Sequence, residues 1–306
     1  MYYVGIDGGG TNTRACILNE QKEIIGIGKA GPSSIDTVDI EVTLTNFNEA
    51  IMQVFRENKI ENPQIVSLFI GVGGVLTDSS KEYLRNEVKK LPYIKQDALI
   101  GVENDVYAAH LGGLGNRPGV CLIVGTGSVA FGIDEDNNTH RAGGYGYQEG
   151  DAGSSFDLGK KTIQHISRVF DGRRKTTPFA QDVFNSLGIK GIDQLIDIIM
   201  SYHLDRTKTA QLAPFVTKHA DLGDIYARKI CDEATTELAL CVEAVNKALN
   251  LRNKELAIIG SLGNTPGYFR TQLETKIKLI ADFNIHGPIT EPVIGAAYKA
   301  YDDAHK

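Results

Sequence analysis

Tryptophan is absent from this chain of 306 residues, and cysteine is sparse: Cys16, Cys121, Cys231 and Cys241. No two cysteines are spaced as CxxC and no histidine cluster lies beside them, which excludes a zinc ribbon or a disulfide framework. Cys16 and Cys121 fall inside apolar, strand-like runs and read as small buried hydrophobes. No apolar stretch reaches the roughly 18 residues needed to span a bilayer. Positive charge is not in excess either: the net charge is −6 and the pI about 5.7. Nucleic acid and anionic membrane surfaces are therefore not attracted by charge, and no partner of either kind is expected. The basic run Gly172-Arg173-Arg174-Lys175 reads as a solvated loop. The first residues enter a strand directly, with no charged n-region or apolar h-region, so a cytoplasmic location is expected. The sequon Asn137-Asn138-Thr139 then reads as a turn.

What is present is a core-forming chain. Hydrophobic residues make up 42%, and the length suits one large domain or two of middle size. YYVGID, TRACILNE and EIIGIGKAG read as three successive strands. Val42, Leu44, Phe47, Ala50, Ile51, Val54 and Phe55 carry a helical period over about 40–58. The runs at 65–74 and 98–105 read as strands, with helices near 79–90 and 105–112. "LGGLGNRPG" (111–119) reads as a Gly/Pro-rich break and the main domain boundary. After two further strands around a glycine turn, the chain reads as helical: 154–170, 178–186, 191–201, 208–220 and 224–249. A strand at 255–264 and helices at 265–281 and 292–304 finish it. One plan occurs twice: "VGIDGGGTNTRACIL" and "CLIVGTGSVAFGI" each run apolar strand, glycine turn with Thr or Ser, apolar strand. Two related α/β halves would explain it.

Glycine turns expose successive backbone N–H groups and let a ligand approach closely, which suits phosphate. Neither turn is a P-loop, for neither carries Gly-Lys-Ser/Thr. Gly125-Thr126-Gly127-Ser128-Val129-Ala130 fits GxGxxA, but a dinucleotide site needs a helix next, and Val129, Phe131 and Ile133 alternate as a strand. Glycines serving only tight hairpins remain the plain alternative. A strand–turn–strand clamp present twice points to a nucleotide. Asp7, beside Gly8-Gly9-Gly10, would repel phosphates unless Mg²⁺ intervened, mostly through water; the plainer reading is a turn-capping residue. Asp105 ends an apolar strand, where α/β folds place ligands. It can be a general base that takes the proton of a substrate hydroxyl, as in phosphoryl transfer, or a helix N-cap, a job Asn104 could share. "GGYGYQEGDAGSS" can wrap a small polar ligand, with Glu149 and Asp151 as acceptors and Tyr145 and Tyr147 as flat faces, or serve as a connector. "IIGSLGN" leaves room for an adenine ring.

Taken in order, GIDGGGTNT, IGVGG, ENDVYAA, VGTGS, GGYGYQEGDAGSS, IIGSLGN and PVIGAAYKA resemble the actin-like ATPase superfamily of sugar kinases. Within it the chain is most similar to the BadF/BadG/BcrA/BcrD ATPase family, N-acetylglucosamine kinase branch. The resemblance implies an α/β fold of two ribonuclease-H-like lobes, 1–116 with 292–306 and 117–291, and an interdomain active-site cleft. It implies ATP-dependent phosphorylation of an amino-sugar 6-hydroxyl, first of all N-acetylglucosamine, with N-acetylmuramic acid, glucosamine and glucose admissible. Asp105 would be the base and Asp7 the Mg²⁺ residue. Gly9, Gly10, Thr11, Asn12, Gly125, Thr126, Gly127, Gly260, Ser261 and Asn264 would bind ATP. Ser33, Ser34, Gly74, Asn104, Gly144, Tyr145, Gly146, Glu149 and Asp151 would join Asp105 around the sugar. The partners implied are sugar, ATP and a second copy in a homodimer. An ATPase activator of a reductase or dehydratase is the alternative; its cluster-binding cysteines find no match in the scattered four. Two departures touch the sugar: Tyr145 stands where this branch has Trp, and Ser33 or Ser34 where it has an amide-bearing Asn.

Overall fold

The computed structural model describes all 306 residues. They form two compact units: Met1–Arg117 with Pro288–Lys306, and Pro118–Gly287. The first begins with β1 (Tyr2–Gly8), β2 (Thr13–Leu18) and β3 (Ile24–Ala30), then α1 (Ile40–Glu57), β4 (Ile65–Val72), α2 (Asp78–Val88), β5 (Ile94–Glu103) and α3 (Asp105–Leu114). The second holds β6 (Gly119–Val124), β7 (Ser128–Ile133), β8 (Thr139–Gly143), α4 (Ser155–Phe170), α5 (Pro178–Leu187), α6 (Ile192–His203), α7 (Arg206–Ala210), α8 (Ala213–Asp221), α9 (Ile225–Ala248), β9 (Glu255–Ile259), α10 (Ser261–Asn264), α11 (Tyr268–Ile280) and β10 (Asn284–His286). The last helix, α12 (Pro292–Asp303), belongs to the first unit.

Each unit is built on a five-stranded mixed sheet, and the two strand orders are the same: β3-β2-β1-β4-β5 and β8-β7-β6-β9-β10. In each, three strands meander antiparallel and two more join in parallel through helical crossovers. The doubled strand–turn–strand plan of the sequence is this repeated sheet. The central strands β1 and β6 are nearly continuous apolar runs; β1 has α1 on one face and α12 on the other. Cys16 and Cys121 are buried in β2 and β6.

In the first unit α1 buries Phe47, Ala50, Ile51, Val54 and Phe55 along one stripe and lies over β2 and β3, where a Cβ on Gly28 would be 1.9 Å from the Ala50 carbonyl oxygen. The other face takes α12. Gly5 makes that contact possible: a Cβ there would lie 2.1 Å from the Ala297 nitrogen. The core of the second unit gathers around α9, which buries Ile230, Ala234, Leu238 and Val242 against β6 and β7 and the helices α4, α8 and α11.

The sequence patterns miss four details. α3 runs through Leu111–Leu114 instead of breaking there; the chain turns only at Gly115, whose φ of 63° caps the helix. The glycines inside α3 leave room for α12, since a Cβ on Gly112 would stand 2.7 Å from the Pro292 nitrogen. The segment expected as one helix over 208–220 is two, because Pro214 has no N–H to give Ala210 and its ring crowds that carbonyl. β8 and β10 were not read as strands: β8 is polar (THRAG) and β10 is three residues long. The run expected as a strand over 255–264 ends at Ile259, and α10 follows.

Candidate functional site

In the first unit the carboxyl ends of β1, β4 and β5 gather the candidate residues. Asp7 is the penultimate residue of β1, and the β1–β2 turn that follows leaves Gly10, Thr11 and Asn12 exposed. The turn is narrow: Gly9 N–H donates to the Asn12 carbonyl at 3.0 Å. The Gly9 carbonyl accepts from Ser33 and Ser34 N–H at 3.0 and 3.2 Å, which ties the 33–37 loop to the turn. Ser33 is wholly buried, 2.7 Å from Thr13 Oγ1, so its hydroxyl serves the hairpin. Ser34 is buried too, and its Oγ donates to Asp36 Oδ1 at 2.5 Å. Asp36 and Thr37 are what this loop exposes.

Asp105 is the first residue of α3, and the cap falls to Asn104, whose Oδ1 accepts from Val106 N–H at 3.2 Å. Asn104 also donates to the Val75 carbonyl, so its side chain is structural at both ends. Gly74 holds a φ of 82° against the backbone of Asp36. Asp7 keeps part of its surface open but is largely surrounded by protein. Burial first, then the Asp105 charge, push its carboxyl up to about 6, while Arg14 pulls the other way. Arg14 is itself paired with Glu291. A coupled carboxylate pair beside a bare glycine turn can aim a hydroxyl and take its proton. Asp7 suits Mg²⁺: it is a hard oxygen donor, and the chain holds no group of three acidic, His or Cys side chains that would bind a metal without added water or phosphate.

In the second unit the β6–β7 turn is braced. Gly125 N–H donates to the Gly127 carbonyl at 2.9 Å, and the Gly125 and Thr126 carbonyls accept from Ser155 and Phe156 N–H at the start of α4. Ser128 Oγ donates to the Ala152 carbonyl at 2.8 Å. Asp151, with φ of 53° and 5% exposure, accepts from Ser128 N–H and from Arg206 Nη2, the latter at 2.9 Å. Both side chains lie against Gly127: a Cβ there would be 2.3 Å from Arg206 Nη2 and 2.8 Å from Asp151 Oδ2. Gly260 comes up beside the same turn with φ of 99°, where a Cβ would meet the Val124 carbonyl at 2.4 Å. Asn264 is spent locally, donating to the Ile258 and Gly260 carbonyls and accepting from Arg270.

A cavity of about 360 Å³ opens beside this turn, lined in part by Thr126, Ser155, Gln211, Pro214, Thr217 and Ser261. It falls within the size range of small-molecule sites, roughly 300–1,000 Å³. The sequence reading named Thr126 and Ser261 but missed the wall from α7 and α8, and missed Arg206. Those residues sit in ordinary amphipathic helices, and nothing in their spacing marks them. In the loop after β8, Tyr145 is 72% exposed with Arg141 over its ring, Glu149 is exposed, and Gly146 accepts from Gly150 N–H. Gly144, also of this loop, has a carbonyl that accepts from Arg141. Only Asp151 among these is drawn into the braced turn.

Comparison with known proteins finds relatives along most of the chain. The profile of the BadF/BadG/BcrA/BcrD ATPase family matches residues 4–300. The N-acetylmuramic acid/N-acetylglucosamine kinase of Clostridium acetobutylicum is 31% identical over 258 residues, 84% of this chain and 83% of that protein. The glucosamine kinase GspK of Vibrio cholerae is 28% identical over 251 residues, 80% of each. Among solved structures, a Chromobacterium violaceum protein provisionally named N-acetylglucosamine kinase superposes with a TM-score of 0.75 at 23% identity, over 97% of this chain and 98% of that one.

Proposed function

Since the chain belongs to the BadF/BadG/BcrA/BcrD ATPase family, we propose that it is an ATP-dependent kinase that phosphorylates the 6-hydroxyl of an amino sugar. Relatives named for N-acetylmuramic acid, N-acetylglucosamine and glucosamine support the substrate class. The observation that carries the reading is the Asp7–Asp105 pair beside the β1–β2 turn, with Asn104 taking the cap.

In this reading Asp105 orients the sugar hydroxyl and accepts its proton as the oxygen attacks the terminal phosphorus. The β1–β2 turn at Gly10, Thr11 and Asn12 and the β6–β7 turn at Thr126 and Gly127 offer backbone amides to phosphate oxygens, while the Gly9 and Gly125 amides close the two turns. The cavity at Thr126 and Ser261 receives the nucleoside. Mg²⁺ bound near Asp7 supplies charge neutralisation for the phosphates. The chain has no helix long and apolar enough to cross a membrane, and a cytoplasmic homodimer is part of the proposal. A coupled ADP-release assay across hexoses and amino sugars tests it. Sugar-dependent release that fails in Asp105→Asn is expected; ADP release independent of any sugar would overturn the kinase.

A further inference from the structure

We propose that Asp36 selects the acceptor, favouring 2-amino sugars whose nitrogen is a free, protonated amine over those whose nitrogen is acylated. This inference rests on the kinase reading and narrows it.

The loop from Ser33 to Thr37 lies beside the base. A Cβ on Gly73 would be 2.2 Å from Ser34 Oγ and 3.7 Å from Asp105 Oδ2, so both side chains border one small space. Within that space Ser34 is buried and its hydroxyl donates to Asp36 Oδ1. That bond fixes the Asp36 carboxylate and leaves the second oxygen to a ligand. The backbone of Asp36 is pinned as well: Ile35 N–H donates to the Gly73 carbonyl at 3.1 Å, and Gly74 packs on the Asp36 nitrogen. Asp36 is exposed, yet held on both sides.

The surrounding field has one sign. Asp7 and Asp105 contribute two more carboxyl groups, and the cation that offsets Asp7, Arg14, already answers Glu291. A protonated amine entering here gains a charge-assisted hydrogen bond to Asp36. An acetamide offers Asp36 one neutral N–H in place of an ammonium, so it gains the hydrogen bond without the ion pair, and it needs more room. A sugar that carries its own carboxylate meets repulsion. Phosphate charge would be answered by Mg²⁺ bound with the nucleotide, which would leave Asp36 to the sugar.

The test compares kcat/KM for glucosamine, N-acetylglucosamine and N-acetylmuramic acid in the native protein and in Asp36→Asn, which keeps the bond from Ser34. Calorimetric binding of the same sugars provides a readout that does not need turnover. The native protein is expected to prefer glucosamine over N-acetylglucosamine by at least ~10-fold, and Asp36→Asn to cut that ratio by ~10-fold or more. N-acetylmuramic acid should be the poorest acceptor and should improve in the variant. A native preference for N-acetylglucosamine, or a variant that slows every sugar by the same factor, overturns the proposal while leaving the kinase intact. If no sugar is phosphorylated but glucosamine still binds in an Asp36-dependent way, the kinase reading fails and the charge selection stands.

Discussion

The two units share a strand order and differ in how their hairpin tips are furnished. The tip in the first unit is bare. Gly10, Thr11 and Asn12 are exposed, and carboxylates of Asp7, Asp36 and Asp105 stand around it. The tip in the second unit is braced by the first amides of α4 and by the Asp151–Arg206 pair, and a nucleoside-sized cavity adjoins it. On the proposed reading one copy of the scaffold would carry the acid chemistry and the other would supply hydrogen-bonding recognition of the nucleotide. A sheet fixes where a loop leaves it but not what the loop carries, so duplicated folds can divide a reaction between their copies.

That division can be broken by mutation. The largest effect is expected from Asp105→Ala: kcat in sugar-dependent ADP release should fall by at least ~100-fold, the low end for loss of a general base. The ATP KM should hardly move, because Asp105 is assigned to the sugar hydroxyl and not to the nucleotide; a near-normal rate would take the acid chemistry away from the first unit. Next, Thr217→Trp should fill the cavity beside the β6–β7 turn and raise the ATP KM by roughly 10-fold, about 1.4 kcal/mol, with the sugar KM unchanged. An equal rise in both constants would deny the second unit its nucleotide role. Arg206→Met leaves the buried Asp151 carboxylate without its cation. Since Arg206 is partly exposed, the cost should be about 1–2 kcal/mol, less than for a fully buried pair, read as a lower Tm that Arg206→Lys partly restores.

The smallest effect sharpens the contrast through pH. Burial and the Asp105 charge hold the Asp7 carboxyl near 6. The folded protein therefore binds that proton more tightly than the unfolded chain does. The ionised group costs stability above about pH 6, and the cost fades as pH falls through 6 towards 4. Asp7→Asn should raise Tm by a few degrees at pH 7–8, with the gain vanishing near pH 4. Activity should move oppositely, falling in the native protein as pH drops below 6, and more severely absent in the variant. A pH-independent Tm difference would mean that Asp7 carries no such charge burden.

Much of this was legible because apolar periodicity and glycine turns are local signals. β1, β2, β6 and β7, the long α9 and the placement of Asp7 and Asp105 at strand ends could be read directly. What escaped was set by distant partners. Arg206 matters only because α7 packs it onto Gly127. Ser33 and Ser34 were expected as sugar ligands from the family resemblance, yet Thr13 and Asp36 already engage their hydroxyls. Asn264 shows the same limit, its amide consumed by the end of β9. The unit boundary does fall within 111–119, but α3 ends later than read because its glycines answer to α12, about 180 residues further along the chain.

The lodging of α12 against Gly5 also governs the order of assembly during synthesis. The β1 strand emerges from the ribosome early, but the helix that covers one of its faces is translated only after the whole second unit. The middle of the chain can therefore fold while its opening segment waits half-covered, exposing Tyr3, Cys16 and Phe69 until the last turns arrive. Nascent chains stalled before residue 292 should accordingly protect the second unit from protease and leave the first open to it.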